Sequence, residues 1–167
     1  MLRKEGGEVY AVLNDLDLAV GVDVKSKSSK HRTGTTPFMA FDLLERDPIV
    51  HMYRHDLESL FYVLVWITSR FENGVEIKDP PLQDWAESED PFSVKIKFML
   101  HAPFFHPTKG FQSFRPWFSL MQGMFLDGFS ARTRAKGSLL PSHFAEDTLG
   151  GSVTFDAFQS ILDVDIL

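Results

Sequence analysis

Two acidic residues, Asp15 and Asp17, lie two positions apart in the segment EVYAVLNDLDLA, whose apolar residues are typical of short strands. A carboxylate at such a turn can bind a metal ion such as Mg²⁺. It can also accept a hydrogen bond within its own turn. From the residues alone, both roles are open for Asp15. A glycosidase would need a second, separate carboxylate, and no motif identifies one.

Histidine and serine residues complete no other catalytic motif. His51 and His55 are four positions apart, like two zinc ligands on a metalloprotease helix, but Met52 stands where that motif has glutamate. No serine lies in the Gly-x-Ser-x-Gly sequence that presents the nucleophile of many hydrolases. The sequence has no cysteine, which excludes disulfides, thiolate metal sites and a cysteine nucleophile.

The composition is that of one globular domain. The chain has 167 residues, 44% of them hydrophobic, which is enough for a single core. A net charge of -6 argues against binding to nucleic acids or to anionic membranes. The apolar stretch 9–13 is too short for a signal peptide or a membrane span. We therefore expect an intracellular protein, cytoplasmic or nuclear, whose 16 phenylalanines are buried or contact a partner.

The elements that would position Asp15 are a hairpin and a long loop. Residues 8–19 are predicted to form a strand, a turn near residue 13 and a second strand. Residues 20–42 contain a basic, hydroxyl-rich loop without hydrophobic periodicity. No internal repeat follows, and the rest of the sequence predicts helices.

A buried helix is predicted over 56–68, with Asp56 as its N-cap. Its residues are apolar on nearly every face, which indicates burial on all sides. We therefore expect truncation of Leu60 or Leu64 to leave a destabilising cavity.

The remainder of the domain, 90–167, is predicted to be helical after an exposed acidic loop over 79–91. Asp90 followed by Pro91 predicts the start of a helix that continues to Leu100. Two further helices are expected, one over 116–125 that Gly128 ends and a short one around Phe155, Phe158 and Leu162.

The order of these motifs resembles a protein kinase from its magnesium-binding turn onward. Asp15-Leu16-Asp17 stands where kinases have Asp-Phe-Gly, and the segment 34–42, GTTPFMAFD, is similar to the end of the activation segment. Residues 56–60, DLESL, fit the start of the central helix. The residue sequences of segments 32–40 and 55–60 resemble the fungal-type protein kinase family in particular. These matches cover roughly residues 8–68.

The resemblance implies a role for several residues. Asp15 would bind Mg²⁺, and Asp56 would hold the catalytic loop. Asp42 would close the activation segment through an ion pair with Arg132 or Arg134. The activation segment would face a protein substrate, and its threonines would be candidate phosphorylation sites. The residues of the segment in this role are Thr33, Thr35, Thr36, Pro37 and Phe38.

The sequence also departs from the family pattern. It has no Gly-rich nucleotide loop, no strand lysine and no His-Arg-Asp catalytic loop, and only 14 residues precede Asp15. Asp17 replaces the glycine of the turn, and Phe41-Asp42 replaces Pro-Glu. The expected fold is therefore mainly α-helical, a kinase-like C-terminal lobe with a small hairpin and without the N-terminal lobe.

Three functions follow as expectations. The family implies transfer of phosphate from Mg-ATP to serine or threonine hydroxyls of proteins, although this chain lacks the elements that grip ATP and supply the catalytic base, and we expect it to be inactive alone. The alternative is a non-catalytic module that binds another protein. An unrelated helical domain is the third.

Overall fold

The computed structural model describes residues 35–45, 49–101, 106–138 and 143–164, together with the backbone of residues 2–5 and 8–11. The chain divides into two compact units, Met1–Lys30 and His31–Leu167, and each is described by itself. In the larger unit most residues are helical. Within the described ranges, none of the helices combines the length and the apolar character needed to cross a membrane.

The smaller unit contains an antiparallel hairpin of strands β1 (Leu2–Glu5) and β2 (Glu8–Ala11). The prediction of a strand beginning at Glu8 is confirmed, whereas the predicted second strand of the hairpin, up to residue 19, lies outside the described residues. The partner strand of β2 lies upstream, with Glu5 opposite Glu8, and the two intervening residues are glycines, which favour tight hairpin turns. The predicted turn at Asp15 and the loop up to residue 34 lie outside the described residues.

Helix α1 (Tyr53–Arg70) contains the predicted segment 56–68 and is longer at both ends. It begins at Tyr53 because the ring of His55 caps it: Nδ1 of His55 accepts a hydrogen bond of 3.0 Å from the backbone N–H of Met52. Asp56 is therefore not the N-cap. It lies in the first turn with 70% of its side chain exposed, 3.1 Å from Nε2 of His51.

The prediction that α1 is buried on all sides was also wrong. One face, which includes Leu57, Phe61 and Val65, lies in the core. On the other face Leu60 and Ile67 are each 44% exposed. An apolar sequence on every side of a helix favours burial, but a side chain is buried only where another element covers it.

A second, short hairpin follows α1 directly. Strands β3 (Phe71–Glu72) and β4 (Val75–Glu76) pair through a turn at Asn73 and Gly74, both of which have positive φ angles of 51° and 79°. Asn-Gly is the dipeptide that tolerates this backbone best. The acidic loop then contains helix α2 (Asp84–Glu87), whose Trp85 is buried in the core.

Helix α3 (Pro91–Leu100) confirms the predicted helix in the 90–100 region. Asp90 is its N-cap and accepts a hydrogen bond of 3.1 Å from the backbone N–H of Ser93. Proline fits the first helical position because its fixed φ matches a helix and no hydrogen-bond donor is needed there.

Helix α4 (Arg115–Lys136) starts near the predicted residue 116 but is not ended by Gly128. Gly128 is buried inside the helix, and a Cβ there would lie 2.8 Å from the Cβ of Leu149. Glycine is needed at this position because the segment around Leu149 packs tightly against α4. The predicted final helix is confirmed as α5 (Phe155–Leu162), which is capped by the hydroxyl of Thr154, although Phe155 itself is exposed.

Two leucines of α1 test this assignment of its faces. Leu57→Ala removes a core side chain and should lower the free energy of unfolding by about 2–5 kcal/mol. Leu60→Ala, on the exposed face of the same helix, should cost less than about 1 kcal/mol. Urea unfolding of both variants measures the difference, and equal costs would contradict the assigned orientation of α1.

Candidate functional site

The carboxylate of Asp42 is the best-defined charged site of the larger unit. Asp42 lies in a 3₁₀ segment (Phe41–Leu44), and only 2% of it is exposed. Arg132 grips it with two parallel hydrogen bonds, Nη1 to Oδ2 at 2.7 Å and Nη2 to Oδ1 at 2.9 Å. Arg54 donates a third bond of 2.7 Å from Nη2 to Oδ2. The two arginines thereby join this segment to α1 and α4.

Of the two arginines that the sequence offered as partners for Asp42, the structure brings Arg132 to it. Arg134 lies on the exposed surface of α4. Arg132 contacts Asp42 only because α4 continues past Gly128 toward the 3₁₀ segment. The kinase role of this contact stays a prediction.

The pKa of Asp42 reflects these contacts. Burial by itself raises the pKa of a carboxyl group, but His55, Arg132 and Arg54 outweigh that effect and hold the pKa of Asp42 well below its usual range. Nε2 of His55 lies 3.9 Å from Oδ2, too far for a direct hydrogen bond, so its effect is electrostatic. Asp42 is therefore ionised at every physiological pH.

The ring of His55 has a defined tautomer. Its Nδ1 accepts the backbone N–H of Met52, so the proton of the neutral ring is on Nε2, on the side of Asp42. Burial lowers the pKa of His55 more than the neighbouring Asp42 raises it, which favours this neutral form.

Arg54 also contacts the segment that precedes α5. Its Nε donates a hydrogen bond of 2.7 Å to the backbone oxygen of Glu146. Oε2 of Glu146 in turn lies 4.0 Å from Nη1 of Arg132. The network around Asp42 thus reaches from the 3₁₀ segment through α1 and α4 to the loop at residue 146.

A second set of buried polar contacts holds the backbone just before Asp42. Nζ of Lys95 donates a hydrogen bond of 2.7 Å to the backbone oxygen of Met39. Oε1 of Glu58 accepts one of 2.9 Å from the backbone N–H of Phe41 and one of 2.6 Å from the hydroxyl of Tyr62. Neither anchor was predicted from the sequence, although a charged residue on an apolar helix face was a signal for each.

Lys95 and Glu58 are both inaccessible to solvent. Burial raises the pKa of Glu58 to about 7, although the hydrogen bonds from Tyr62 and Phe41 act to lower it. Burial also lowers the pKa of Lys95 to about 7 against the attraction of Glu58. The lysine lies over the ring of Tyr62 at 3.6 Å and near that of Trp85 at 4.9 Å, contacts that favour its cationic form.

The other predicted site residues lie apart from this network or outside the described residues. Thr35 and Thr36 are exposed, and Pro37 and Phe38 are half-buried. Phe38 packs edge-on against Trp66 with ring centroids 5.7 Å apart. Asp15 and Thr33 lie outside the described residues.

The family resemblance implies binding of Mg-ATP, but it assigns the metal to no side chain among the described residues. Among them, no group of three or more histidine, aspartate or glutamate side chains is arranged to hold a metal ion. The predicted metal ligand, Asp15, lies outside these ranges. We therefore derive no step of phosphoryl transfer from the geometry.

The class of protein defined by the described fold is a mainly helical domain that carries a small antiparallel hairpin. The model of the fungal protein kinase family matches residues 1–68, which supports a fragment of that family in this part of the chain. No curated protein and no solved structure shows significant similarity to the chain. The match includes Asp42 and most of α1, whereas Lys95 and Arg132 lie beyond it.

Removal of the bidentate partner should destabilise the domain. Arg132→Met leaves part of the charge of Asp42 uncompensated in the interior and should lower the free energy of unfolding by about 3–5 kcal/mol. Arg134→Met, two residues along the same helix but exposed, should change it by less than about 0.5 kcal/mol. Urea denaturation of both variants measures the costs; a similar small effect for both would show that the Asp42 contact carries no stability.

Acid should remove the contribution of Asp42. Because the folded-state pKa of this group is depressed, its stabilisation is present above its ordinary value of 3.8 and is lost progressively as the pH falls below it. The difference in unfolding free energy between the wild type and Asp42→Asn should therefore be constant near pH 6 and shrink below about pH 4. A difference that stays constant down to pH 2.5 would contradict a depressed pKa.

Proposed function

We propose that this chain is the part of a fungal-type protein kinase domain that carries the end of the activation segment and the helical lobe to which that segment is anchored. The family match of residues 1–68 supports it. In kinases, a carboxylate at the end of the activation segment pairs with an arginine of the later helices. Asp42 and Arg132 make this kind of pair across 90 residues of sequence.

The Asp42–Arg132 contact is the observation that carries the proposal, because its two partners come from different parts of the chain. Asp42 lies within the matched region, and Arg132 lies 64 residues beyond its end. The contact is bidentate and buried, a geometry that needs both groups placed within a fraction of an ångström. It thus supports a kinase-type arrangement for the second half of the chain as well.

The activity that the family implies is transfer of the γ-phosphoryl group of Mg-ATP to a serine or threonine hydroxyl of a protein. That reaction depends on positioned phosphates, metal and nucleophile rather than on covalent catalysis. In our proposal Asp15 would bind the metal, and the segment Thr35–Phe38, whose two threonines are exposed, would face the protein substrate. The sequence contains neither the lysine and Gly-rich loop that grip ATP nor the catalytic base, so the chain alone is proposed to be inactive.

The second candidate function is a non-catalytic module that binds another protein. The exposed face of α1 favours it: Leu60 and Ile67 are seven residues apart, which places them on one side of the helix, and each is 44% exposed. Apolar residues left uncovered on a core helix are typical of a surface that a partner covers.

A phosphorylation assay tests the first proposal. The 167-residue chain, incubated with labelled Mg-ATP and a generic protein substrate, should transfer no more phosphate than a buffer blank. Asp15→Asn is the matched control for any residual signal, because it removes the proposed metal ligand. Transfer that this substitution abolishes would show that the chain is an active kinase and would contradict its proposed inactivity.

A longer chain separates the two candidate functions. If the genomic DNA encodes an in-frame Gly-rich loop, a strand lysine and His-Arg-Asp before Met1, the extended protein should phosphorylate substrate and lose this activity with Asp15→Asn. If the upstream frames carry stop codons, the module that binds a partner is the remaining candidate. In that case, substitution of Leu60 and Ile67 by aspartate should abolish partner binding without unfolding the domain.

A further inference from the structure

The backbone just before Asp42 is held by two ionisable side chains from different helices. Lys95 of α3 contacts the carbonyl of Met39, and Glu58 of α1 contacts the N–H of Phe41. We propose that Glu58 and Lys95 form a clamp that holds the backbone of residues 39–41 in place. The stability of this clamp depends on the protonation states of the two side chains and is lowest when both are charged. The proposal does not depend on the kinase assignment, because it involves neither ATP nor a substrate.

The geometry shows why the charged pair is unfavourable. Oε1 of Glu58 accepts two hydrogen bonds, but its Oε2 is buried without any hydrogen-bond partner. An ionised carboxylate with one bare oxygen loses much of its hydration without replacement. The ammonium group of Lys95 has one backbone carbonyl at 2.7 Å and otherwise faces the rings of Tyr62 and Trp85.

Neutralisation of either group preserves the contacts to the backbone. A proton taken from solvent onto the bare Oε2 of Glu58 leaves Oε1 free to accept from Phe41 and Tyr62. A proton released from Nζ of Lys95 to solvent leaves an amine that can still donate to Met39. Each change therefore removes a desolvated charge while the clamp retains its hydrogen bonds.

Other charged groups face the clamp, and their titration must be separated from it. Asp42 interacts electrostatically with Glu58, and its negative charge is balanced by Arg54 and Arg132. Asp42 and Tyr62 both titrate outside the range from pH 5 to 9.

The effect of His55 on stability has the opposite sense to that of Glu58. Burial lowers its pKa, so its contribution is lost as the pH falls below 6.5. A comparison with variants that retain His55 is therefore required.

The sign of each contribution follows from the direction of its pKa shift. The pKa of Glu58 is raised from 4.5 to about 7. Its contribution to the stability of the folded state is therefore complete below pH 4.5 and is lost as the pH rises through 7. The pKa of Lys95 is lowered from 10.5 to about 7, so its contribution is complete above pH 10.5 and is lost as the pH falls through 7. Together they place the weakest hold near neutral pH, where small changes in acidity alter it in either direction.

Hydrogen exchange of the full chain tests the clamp. Protection factors for the amides of residues 39–45 are measured from pH 5 to 9, each corrected for the intrinsic exchange rate at that pH. Glu58→Gln retains an oxygen acceptor for Phe41 but cannot ionise. The ratio of wild-type to Glu58→Gln protection should fall about tenfold or more between pH 5 and 7, which corresponds to one pKa unit or more.

Lys95→Met tests the other half of the pair. This variant keeps the length of the side chain without its charge, and the ratio of wild-type to Lys95→Met protection should rise about tenfold or more between pH 7 and 9. The exposed residues Glu89 and Lys97 provide matched controls, because Glu89→Gln and Lys97→Met should leave both ratios flat. A flat ratio for either clamp variant would overturn the proposal.

A measurement on the wild-type protein keeps the test decisive if a variant does not fold. The carboxyl carbon of Glu58, observed by carbon-13 NMR, should titrate near neutral pH, and exchange of the Phe41 amide should change with the same midpoint. Titration of Glu58 near its ordinary value of 4.5 would overturn the clamp, as would a Phe41 amide whose protection does not change over the titration of Glu58.

Discussion

The buried carboxylate of Asp42 constrains the arrangement of the elements around it. An isolated charge in a protein interior is strongly unfavourable, so the fold must bring compensating groups to it. Arg54 and Arg132 supply them with three hydrogen bonds of 2.7–2.9 Å. Because these residues lie on α1 and α4, the 3₁₀ segment, the first turn of α1 and the C-terminal half of α4 must keep fixed positions relative to one another.

The aromatic residues form the apolar surroundings of this network. Phe61 lies within 6.4 Å of the rings of Phe98, Phe118 and Phe125, in tilted contacts that fill the space between α1, α3 and α4. Such a core excludes water from the charges beside it, and the same exclusion strengthens the ion pairs and raises the cost of any unpaired group. Among the described residues, five phenylalanines are buried in the interior: Phe41, Phe61, Phe118, Phe125 and Phe158.

The family match ends within α1, whereas the described structure continues to residue 164. Residues 1–68 match the model of the fungal protein kinase family, and they include Asp42, Arg54 and Glu58. Two buried partners of this region, Lys95 and Arg132, come from the unmatched remainder. The second half of the chain therefore completes the charge balance of the first within the larger unit.

The sequence by itself determined the local elements and the charge that needed a partner. The Asp90-Pro91 pair specified the start of α3, and the run of apolar residues after Asp56 specified a helix, because caps and periodicity act within a few residues. Resemblance to a family supplied Asp42 as an acid that requires an arginine. Residues 12–34, with Asp15, lie outside the part of the chain for which this comparison can be made.

Tertiary structure decided the choices that depend on distant neighbours. Leu57 and Leu60 are three residues apart and therefore neighbours on the surface of α1, and periodicity does not say which of the two another element covers. Glycine is common at helix ends, yet Gly128 lies in the interior of α4, where it packs closely against Leu149. Only this continuation of α4 brings Arg132 to Asp42. The burial of Lys95 likewise depends on contacts from other segments, because a charge becomes interior only when the rest of the chain encloses it.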